Sequence, residues 1–544
     1  MDIRHEIAKK LYVPRIMRAR GLTPPADPRV LLKMLRIRNH FGSTAATGYA
    51  LGNLRFPDRE AIIDEAGSLT FADIHTRTNA LAHALSDEGV LEGDRIAIMA
   101  RNHRGFIEAA VACAKLGANI IYLNTAFAGP QLADVCRREG PVVLIYDQEF
   151  TGLVAEAAEG RRCFISWVDD PETAEHPTLD DLMANGDPDE VVPPAEHGRV
   201  VILTSGTTGT PKGAQRGTPS SALPAAILLD AIPLHAGGRT MIAAPTFHSW
   251  GGLHLSLAIV LGSTVVLRRH FKPETTLEAV ATHRCDALAV VPVMLLRMLE
   301  LDAETIAKYD TSSLKIIAAS GSALPGELAT KVMDTFGDVL YNLYGSTEVG
   351  WATIASPADM RRVPGTAGRV PFNTIVKLYD EHDKEVAPGE TGRIFVGNEM
   401  GFDGYTGGGT KAMIDGLMSS GDVGHFVGDM LFVDGRDDEM IVSGGENVFP
   451  REVEDLLADY EGVDEVAVIG VPDDQFGQRL KAFVVTHDGV TLTEDELKDH
   501  VKAHLARYKV PRDVEFLDEL PRNATGKVLK RVLIEREAEE TATS

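Results

Sequence analysis

The sequence has few cysteines, no long apolar run and fewer basic than acidic residues. No stretch of about 18 uninterrupted apolar residues occurs, which argues against a transmembrane helix. Residues 1–21 carry charge throughout and lack the apolar core of a signal peptide, so we expect a cytoplasmic protein. The cysteines match neither a zinc-ligand spacing nor a CxxC pair, which suits free thiols in a reducing compartment: Cys113, Cys136, Cys163 and Cys285.

The charge is unevenly distributed. The chain has 54 basic and 79 acidic residues and a net charge of −25, which argues against nucleic acid as the main partner. Residues 1–40 nevertheless contain ten Lys or Arg and only three acids. In that arm Val30, Leu31, Met34 and Leu35 can share a helix face. Packing of the arm on the acidic body is the favoured interpretation; peripheral contact with an anionic membrane is the alternative, and a homodimer stays open.

The remaining composition is that of a globular protein, with 44% hydrophobic and 24% charged residues. From about residue 57, helical segments such as 71–88 alternate with strand-like segments such as 94–100. This alternation predicts mixed or parallel sheets covered by helices, with sites in loops beyond the strand ends. After Thr374, short strands between Gly, Pro and Asp turns indicate a β-rich subdomain.

A charged break near Asp438 precedes a last unit of about 105 residues, which is large enough to fold alone. The predicted fold class is therefore α/β: a large N-terminal domain of mixed sheets with helices and a β-rich subdomain, followed by a small α+β C-terminal domain. We expect a basic extension at 1–44, the large domain at 45–437 and the small domain at 438–544.

A Gly- and Thr-rich loop follows the apolar strand 200–203. Glycines allow backbone N–H groups to turn toward an anion, hydroxyls add donors, and a lysine adds positive charge. The spacing is not that of a Walker loop, because Pro211 precedes Lys212 and no Ser or Thr follows it. The loop therefore predicts a phosphate site, with these candidate residues: Thr204, Ser205, Gly206, Thr207, Thr208, Gly209 and Lys212.

This loop resembles the phosphate-binding loop of the adenylate-forming superfamily, which includes acyl-CoA synthetases, adenylation domains and luciferases. Four further segments resemble that family's motifs in the same order: 342–348 (NLYGSTE), 420–422 (SGD), 435–447 around the hinge, and 521–527 (PRNATGK). The similarity covers roughly residues 45–535. The resemblance implies a ligase that uses ATP, Mg²⁺ and CoA, with a small-molecule carboxylic acid as substrate.

The resemblance also implies a role for individual residues. Glu348 would hold Mg²⁺ together with Thr204, because oxygen ligands suit that hard cation. Tyr344 would stack on adenine, and Asp422 with Arg436 would bind the ribose or a phosphate. Lys527 would contact the α-phosphate and the substrate carboxylate, as the catalytic lysine. The other candidates at the nucleotide are Gly321, Ser322, Gly345, Ser346 and Thr347.

In this family the C-terminal domain is mobile and rotates between adenylation and thioester formation. The matching hinge position is Asp438. Gly444 and Gly445 would line a narrow channel for the pantetheine arm of CoA. The chain departs from many fatty-acyl ligases at Val442 and at Asp438, where lysine is frequent.

The segment 246–252 (TFHSWGG) resembles the acyl-pocket wall of fatty-acid and related ligases. We predict a pocket formed by Phe247, Trp250, Gly251 and Gly252, with Trp250 as a gate to a long tunnel. His248 lacks a visible carboxylate partner, so we assign it positioning.

The predicted function is activation of a medium- or long-chain fatty acid and its transfer to CoA. The alternatives are an aryl or other carboxylic-acid–CoA ligase and a fatty-acyl-AMP ligase that loads a carrier protein. A luciferase-like oxygenase shares every motif. A catalytically dead binding protein is disfavoured because Lys527 and Glu348 are both present.

Overall fold

A computed structural model describes residues 3–204, 212–216, 221–439, 441–443, 446–473, 477–505, 507–523 and 526–543. Its helices are α1 Ile3–Ala19, α2 Pro28–Phe41, α3 Ala45–Arg55, α4 Phe71–Asp87, α5 Arg104–Lys115, α6 Gly129–Glu139, α7 Thr151–Ala158, α8 Leu179–Asn185, α9 Leu223–Ala231, α10 Ser249–Leu261, α11 Pro273–His283, α12 Pro292–Leu299, α13 Ala303–Ala307, α14 Gly326–Phe336, α15 Pro357–Arg362, α16 Pro450–Ala458, α17 Glu494–His504 and α18 Lys530–Thr543. None of the helices within these ranges has the length and apolar character needed to cross a membrane.

The strands are β1 Glu60–Asp64, β2 Gly67–Thr70, β3 Arg95–Met99, β4 Asn119–Tyr122, β5 Val143–Asp147, β6 Arg162–Trp167, β7 Val200–Thr204, β8 Lys212–Arg216, β9 Arg239–Ile242, β10 Thr264–Leu267, β11 Ala287–Val290, β12 Ile316–Ala319, β13 Leu340–Ser346, β14 Gly350–Ala355, β15 Ile375–Tyr379, β16 Gly392–Gly397, β17 Phe402–Tyr405, β18 Met413–Ile414, β19 Leu417–Val427, β20 Met430–Arg436, β21 Ile441–Ser443, β22 Glu446–Val448, β23 Val463–Asp473, β24 Gly477–Thr486 and β25 Asp513–Phe516. They form four sheets.

Two largely parallel sheets form the centre of the molecule. One has eight strands in the order β14-β13-β12-β11-β9-β10-β1-β2, and the other has seven in the order β17-β8-β7-β4-β3-β5-β6. Their central strands are mostly runs of Val, Ile, Leu and Ala and, apart from Arg95 at the start of β3, are buried, as strands covered on both faces require. The sequence prediction of mixed sheets covered by helices is confirmed.

Helices fill the space between these sheets and cover their outer faces. A core of α3, α4, α5 and α10 side chains packs between β3 and β5 of one sheet and β10 of the other. Helices α9, α11, α12 and α14 cover the opposite face of the eight-stranded sheet, and α6 with α7 covers that of the seven-stranded sheet. One end of each sheet, with β13 and β14 in the first and β7, β8 and β17 in the second, lines the same cleft.

The region after Thr374 forms an antiparallel sheet of β15, β16, β18, β19 and β20, as its short strands predict. The last unit combines β21–β25 with α16 and α17 around its own apolar core. A single turn of 3-10 helix at Asp437–Glu439 connects the two. Asp438, the predicted hinge position, is the middle residue of this turn.

The basic arm forms two helices with different surroundings. Helix α1 packs on the body: the Tyr12 hydroxyl donates to Asp230 at 2.8 Å, and Lys9 pairs with Glu399 at 2.9 Å. This contact follows the favoured interpretation of charge complementarity. Helix α2, in contrast, contacts the rest of the protein along one narrow side, and Phe41 is its one fully buried residue.

Candidate active site

One large cleft of about 1950 Å³ lies between the body and the C-terminal unit. Most of the residues predicted from the motifs line it: Lys212, His248, Trp250, Gly252, Gly321, Ser322, Tyr344, Gly345, Ser346, Thr347, Glu348, Asp422, Arg436 and Lys527. Ser205, Gly206, Thr207, Thr208, Gly209, Gly444 and Gly445 fall outside the described residues. Thr204 ends β7 and pairs in antiparallel register with Lys212, which begins β8 and lines the cleft.

A chain of hydrogen bonds connects β13 with the β-rich subdomain. The Tyr344 hydroxyl donates to Asp422 Oδ2 at 2.6 Å, and Arg436 Nη1 donates to Asp422 Oδ1 at 3.2 Å. Burial, followed by the nearby Asp422 charge, raises the pKa of Tyr344, which keeps this hydroxyl a donor. Asp422 is therefore held between a neutral donor and a cation, with its oxygens at the cleft.

Glu348 is held by two hydroxyl groups. Tyr405 Oη donates to Oε1 at 2.9 Å, and Ser346 Oγ donates to Oε2 at 3.0 Å. Glu348 is only 9% exposed, and Tyr405 also lies beneath Lys212, whose Nζ is 5.4 Å from the ring centre. The motifs did not reveal Tyr405, because it comes from β17, a strand distant in sequence that adds to the edge of β8.

His248 and Trp250 lie at the start of α10, which adjoins the Glu348 segment through the Ser249 and Thr347 hydroxyls, 3.2 Å apart. Burial lowers the pKa of His248 to about 4, so the ring is neutral at pH 7 and offers one N–H donor. Trp250 Nε1 donates to the Val290 carbonyl at 2.9 Å. That hydrogen bond fixes the Trp250 ring as part of the wall. The geometry therefore does not favour the predicted role of Trp250 as a gate.

Two of the predicted pocket residues lie behind this wall. Phe247 is 5% exposed and packs in the core between the sheets, with Leu255 and Ile242. A Cβ on Gly251 would lie 2.2 Å from the Pro245 carbonyl oxygen, so this glycine permits close backbone packing and does not provide pocket volume. The sequence pattern could not separate them from Trp250 and Gly252, because all four share one short segment.

The loop that carries Lys527 is docked on the body. The Lys527 N–H donates to Asn523 Oδ1 at 2.9 Å, which closes a tight turn. Gly526 has φ +77°, and a Cβ there would lie 2.1 Å from Val293 Cγ1 on α12. A side chain at this position would therefore lift the loop off α12.

Ion pairs accompany this docking. Glu465 on β23 is 6% exposed at its side chain and accepts from Arg522 at 3.0 Å and from Arg297 of α12 at 3.4 Å. Lys530 at the start of α18 pairs with Glu454 at 2.8 Å and with Glu439 of the 3-10 turn at 3.2 Å. Arg297 is the member of this set that belongs to the body, so it connects the two parts across the cleft.

Family models match most of the chain. Residues 52–406 match the model described as AMP-binding enzyme, and residues 452–527 match the AMP-binding enzyme C-terminal domain. The chain belongs to the AMP-binding enzyme family. A feruloyl-CoA synthase from Amycolatopsis sp is 34% identical over 87% of this chain and 95% of its own. An indoleacetate–CoA ligase from Aromatoleum aromaticum is 33% identical over 88% and 93%.

Solved structures of this family share the fold. An anthranilate CoA ligase with anthranoyl-AMP bound has a TM-score of 0.82 over 92% of this chain and 98% of its own, at 24% identity. The o-succinylbenzoate CoA synthetase from Bacillus subtilis with its acyl-adenylate intermediate has a TM-score of 0.77 over 89% and 97%, at 26% identity. The predictions of the family, of the fold class and of an AMP-forming acid–thiol ligase are confirmed. The similarities therefore support the general function of an adenylate-forming CoA ligase.

Proposed function

We propose that the protein activates a carboxylic acid with ATP and then transfers the acyl group to CoA. In the first step a carboxylate oxygen attacks the α-phosphorus, and pyrophosphate leaves as acyl-AMP forms. In the second step the CoA sulfur attacks the acyl carbon, its proton is lost, and AMP leaves. The observation that carries this proposal is that Lys527 of the C-terminal unit lines the same cleft as Glu348, Tyr344 and Asp422 of the body.

The first step brings together an anionic nucleophile and a polyanion, so positive charge must be placed where the two meet. Lys527 is proposed to neutralise the charge between the carboxylate and the α-phosphate. Asp422 is proposed to accept from the ribose hydroxyls while Arg436 and Tyr344 hold it in place. His248, which is neutral, is proposed to position the substrate carboxylate through one N–H donor.

Glu348 fits a magnesium ligand. It is a hard oxygen donor at the cleft, and each of its oxygens accepts only one of the hydrogen bonds described above, which leaves a lone pair on each. Magnesium is usually held by one or two carboxylates together with phosphates and waters. We propose that Glu348, with Thr204, holds Mg²⁺, which would neutralise the phosphate charge of ATP.

The second step needs room for a thiol where Lys527 lies. We propose that the unit after Asp438 rotates about that residue, and that Gly444 and Gly445 then line the path of the CoA arm. The divisions at residues 44 and 438 are part of the same proposal. The docked Lys527 loop corresponds to the adenylation arrangement.

For the substrate we propose an acid that carries an aromatic or other ring. The indole of Trp250, fixed by its bond to Val290, is an apolar ring that lines the cleft beside His248 with a small part of its surface, 4% of the residue being exposed. Relatives named for feruloyl-CoA and indoleacetate support this choice over a fatty acid.

A fatty acid is the second candidate, because the apolar lining continues well beyond Trp250. It follows α10 and α3 through Val260 and Leu51 and reaches Leu31 on α2. A ring acid would leave this end of the cleft empty, whereas a long chain would fill it.

The test is CoA-dependent release of AMP over a set of acids: acetate, octanoate, palmitate, benzoate, ferulate and indoleacetate. The highest kcat/KM with ferulate or indoleacetate supports the ring-bearing substrate. The highest value with palmitate supports the fatty acid and rejects the first choice. Pyrophosphate release without any thioester in every case would reject CoA as the acceptor.

A further inference from the structure

Helix α2 carries an exposed apolar band beside exposed cations. Leu31, Leu32 and Leu35 are 42%, 67% and 56% exposed. The helix Pro28–Phe41 contains no acidic residue, and its Lys33 and Arg36 are exposed as well. A leucine band on one side of a helix, flanked by basic residues, is the pattern of helices that lie in a membrane interface.

We propose that α2 binds the surface of an anionic lipid membrane, with Leu32 and Leu35 among the acyl chains and its cations at the headgroups. The partner must be anionic because the helix is basic, and it must accept apolar side chains because the leucines lie on the same outer surface. An acidic lipid surface satisfies both requirements.

The size of the helix argues against a second protein chain as the partner. Its 14 residues make a cylinder about 21 Å long and about 10 Å wide. One face therefore covers about 200 Å², far below the ~800 Å² per partner of a stable protein interface. A single helix of this size can bind a membrane, because burial of its apolar side chains and attraction of its cations to anionic lipids add together.

Helix α2 lies beside the cleft, so a membrane bound to α2 would also lie beside the cleft. Leu31, Met34 and Arg38, on one side of the helix, line the cleft described above, whereas Leu32 and Leu35 do not. A membrane in contact with the outer leucines would therefore lie beside the apolar end of the cleft. An apolar carboxylic acid dissolved in that membrane would have a short path into it.

The test is co-sedimentation of the full chain with vesicles of phosphatidylcholine alone or mixed with phosphatidylglycerol. We expect binding to the mixed vesicles that weakens with salt, since charges at a surface are screened. Each cation near such a surface contributes a factor of about 5, so Lys33→Gln with Arg36→Gln should weaken partitioning about 30-fold at low salt. Leu32→Gln with Leu35→Gln should also weaken it, while AMP release from a water-soluble acid stays unchanged.

A matched control removes the same charge elsewhere. Lys308→Gln with Lys502→Gln changes two exposed cations that make only 3.9 Å ion pairs, and it should leave vesicle binding unchanged. Equal loss in this control, or no binding of the unaltered chain to mixed vesicles, would overturn the proposal. A change of oligomeric state in the leucine variant, seen by analytical ultracentrifugation without lipid, would assign the face to a second copy instead.

Discussion

The contact between Arg297 and Glu465 predicts a variant that slows one half-reaction and spares the other. Glu465 is nearly buried, but Arg297 is 45% exposed, so water screens the pair. After Arg297→Ala, Glu465 keeps Arg522 at 3.0 Å and is not left as a bare buried charge. The loss is therefore that of a partly exposed ion pair, up to about 1 kcal/mol, or about fivefold in the docking equilibrium.

The assay measures each step by itself in a single turnover. Pyrophosphate release from ATP and acid without CoA reports adenylation, and conversion of added acyl-AMP by CoA reports thioester formation. We expect Arg297→Ala to slow the first up to about fivefold and to leave the second unchanged. Glu300→Ala is the matched control, because it removes the other partner of Arg297, at 3.2 Å, and leaves the Glu465 contact in place. Equal slowing of both steps, or no slowing of either, would refute the docking role.

Three further predictions follow from contacts in the cleft and between the C-terminal unit and the body. Tyr405→Phe removes one hydrogen bond to the Glu348 carboxylate. It should lower the adenylation rate about tenfold and make that rate depend less on the Mg²⁺ concentration. An unchanged Mg²⁺ titration would contradict the link to Glu348. Gly526→Ala should block docking on Val293 and slow adenylation much more than thioester formation, with partial rescue by Val293→Ala; no rescue would contradict the clash. Burial and a hydrogen bond with Glu327 of α14 raise the pKa of Asp459, at the end of α16, from 3.8 to about 6. This contact between the C-terminal unit and the body therefore weakens as the pH rises from 3.8 to 6 and stays weakened above that. The adenylation rate should fall across this range relative to an Asp459→Asn variant, and identical pH profiles would contradict the prediction.

Much of the fold follows from local patterns. Apolar strands that alternate with amphipathic helices predicted the parallel sheets, and the predicted helix 71–88 and strand 94–100 are found as α4 Phe71–Asp87 and β3 Arg95–Met99. The long strand β19 was not predicted as a strand, because glycines and polar residues around Asp422 interrupt its alternation. Its pairing with β16 and β20 supplies the order that the local sequence lacks.

The candidate site was easiest to find where its residues stand in one short string. Glu348, Asp422 and Lys527 come from such strings, and they line one cleft, while their roles stay predictions. Tyr405 and Arg297 were not predictable, because their role depends on which distant element packs beside them. Phe247 and Gly251 show the opposite error: a motif marks a segment, but the turn at the start of α10 decides which side chains face the cleft.

The most direct test of the central claim is single-turnover formation of acyl-AMP from ATP and an accepted acid, comparing the unaltered chain with Lys527→Ala. Acyl-AMP and thioester are quantified before and after CoA is added. We expect the unaltered chain to accumulate acyl-AMP, which CoA then converts to thioester. Lys527→Ala should lose acyl-AMP formation but still convert supplied acyl-AMP. Formation of acyl-AMP at an undiminished rate in Lys527→Ala would show that Lys527 does not act in adenylation.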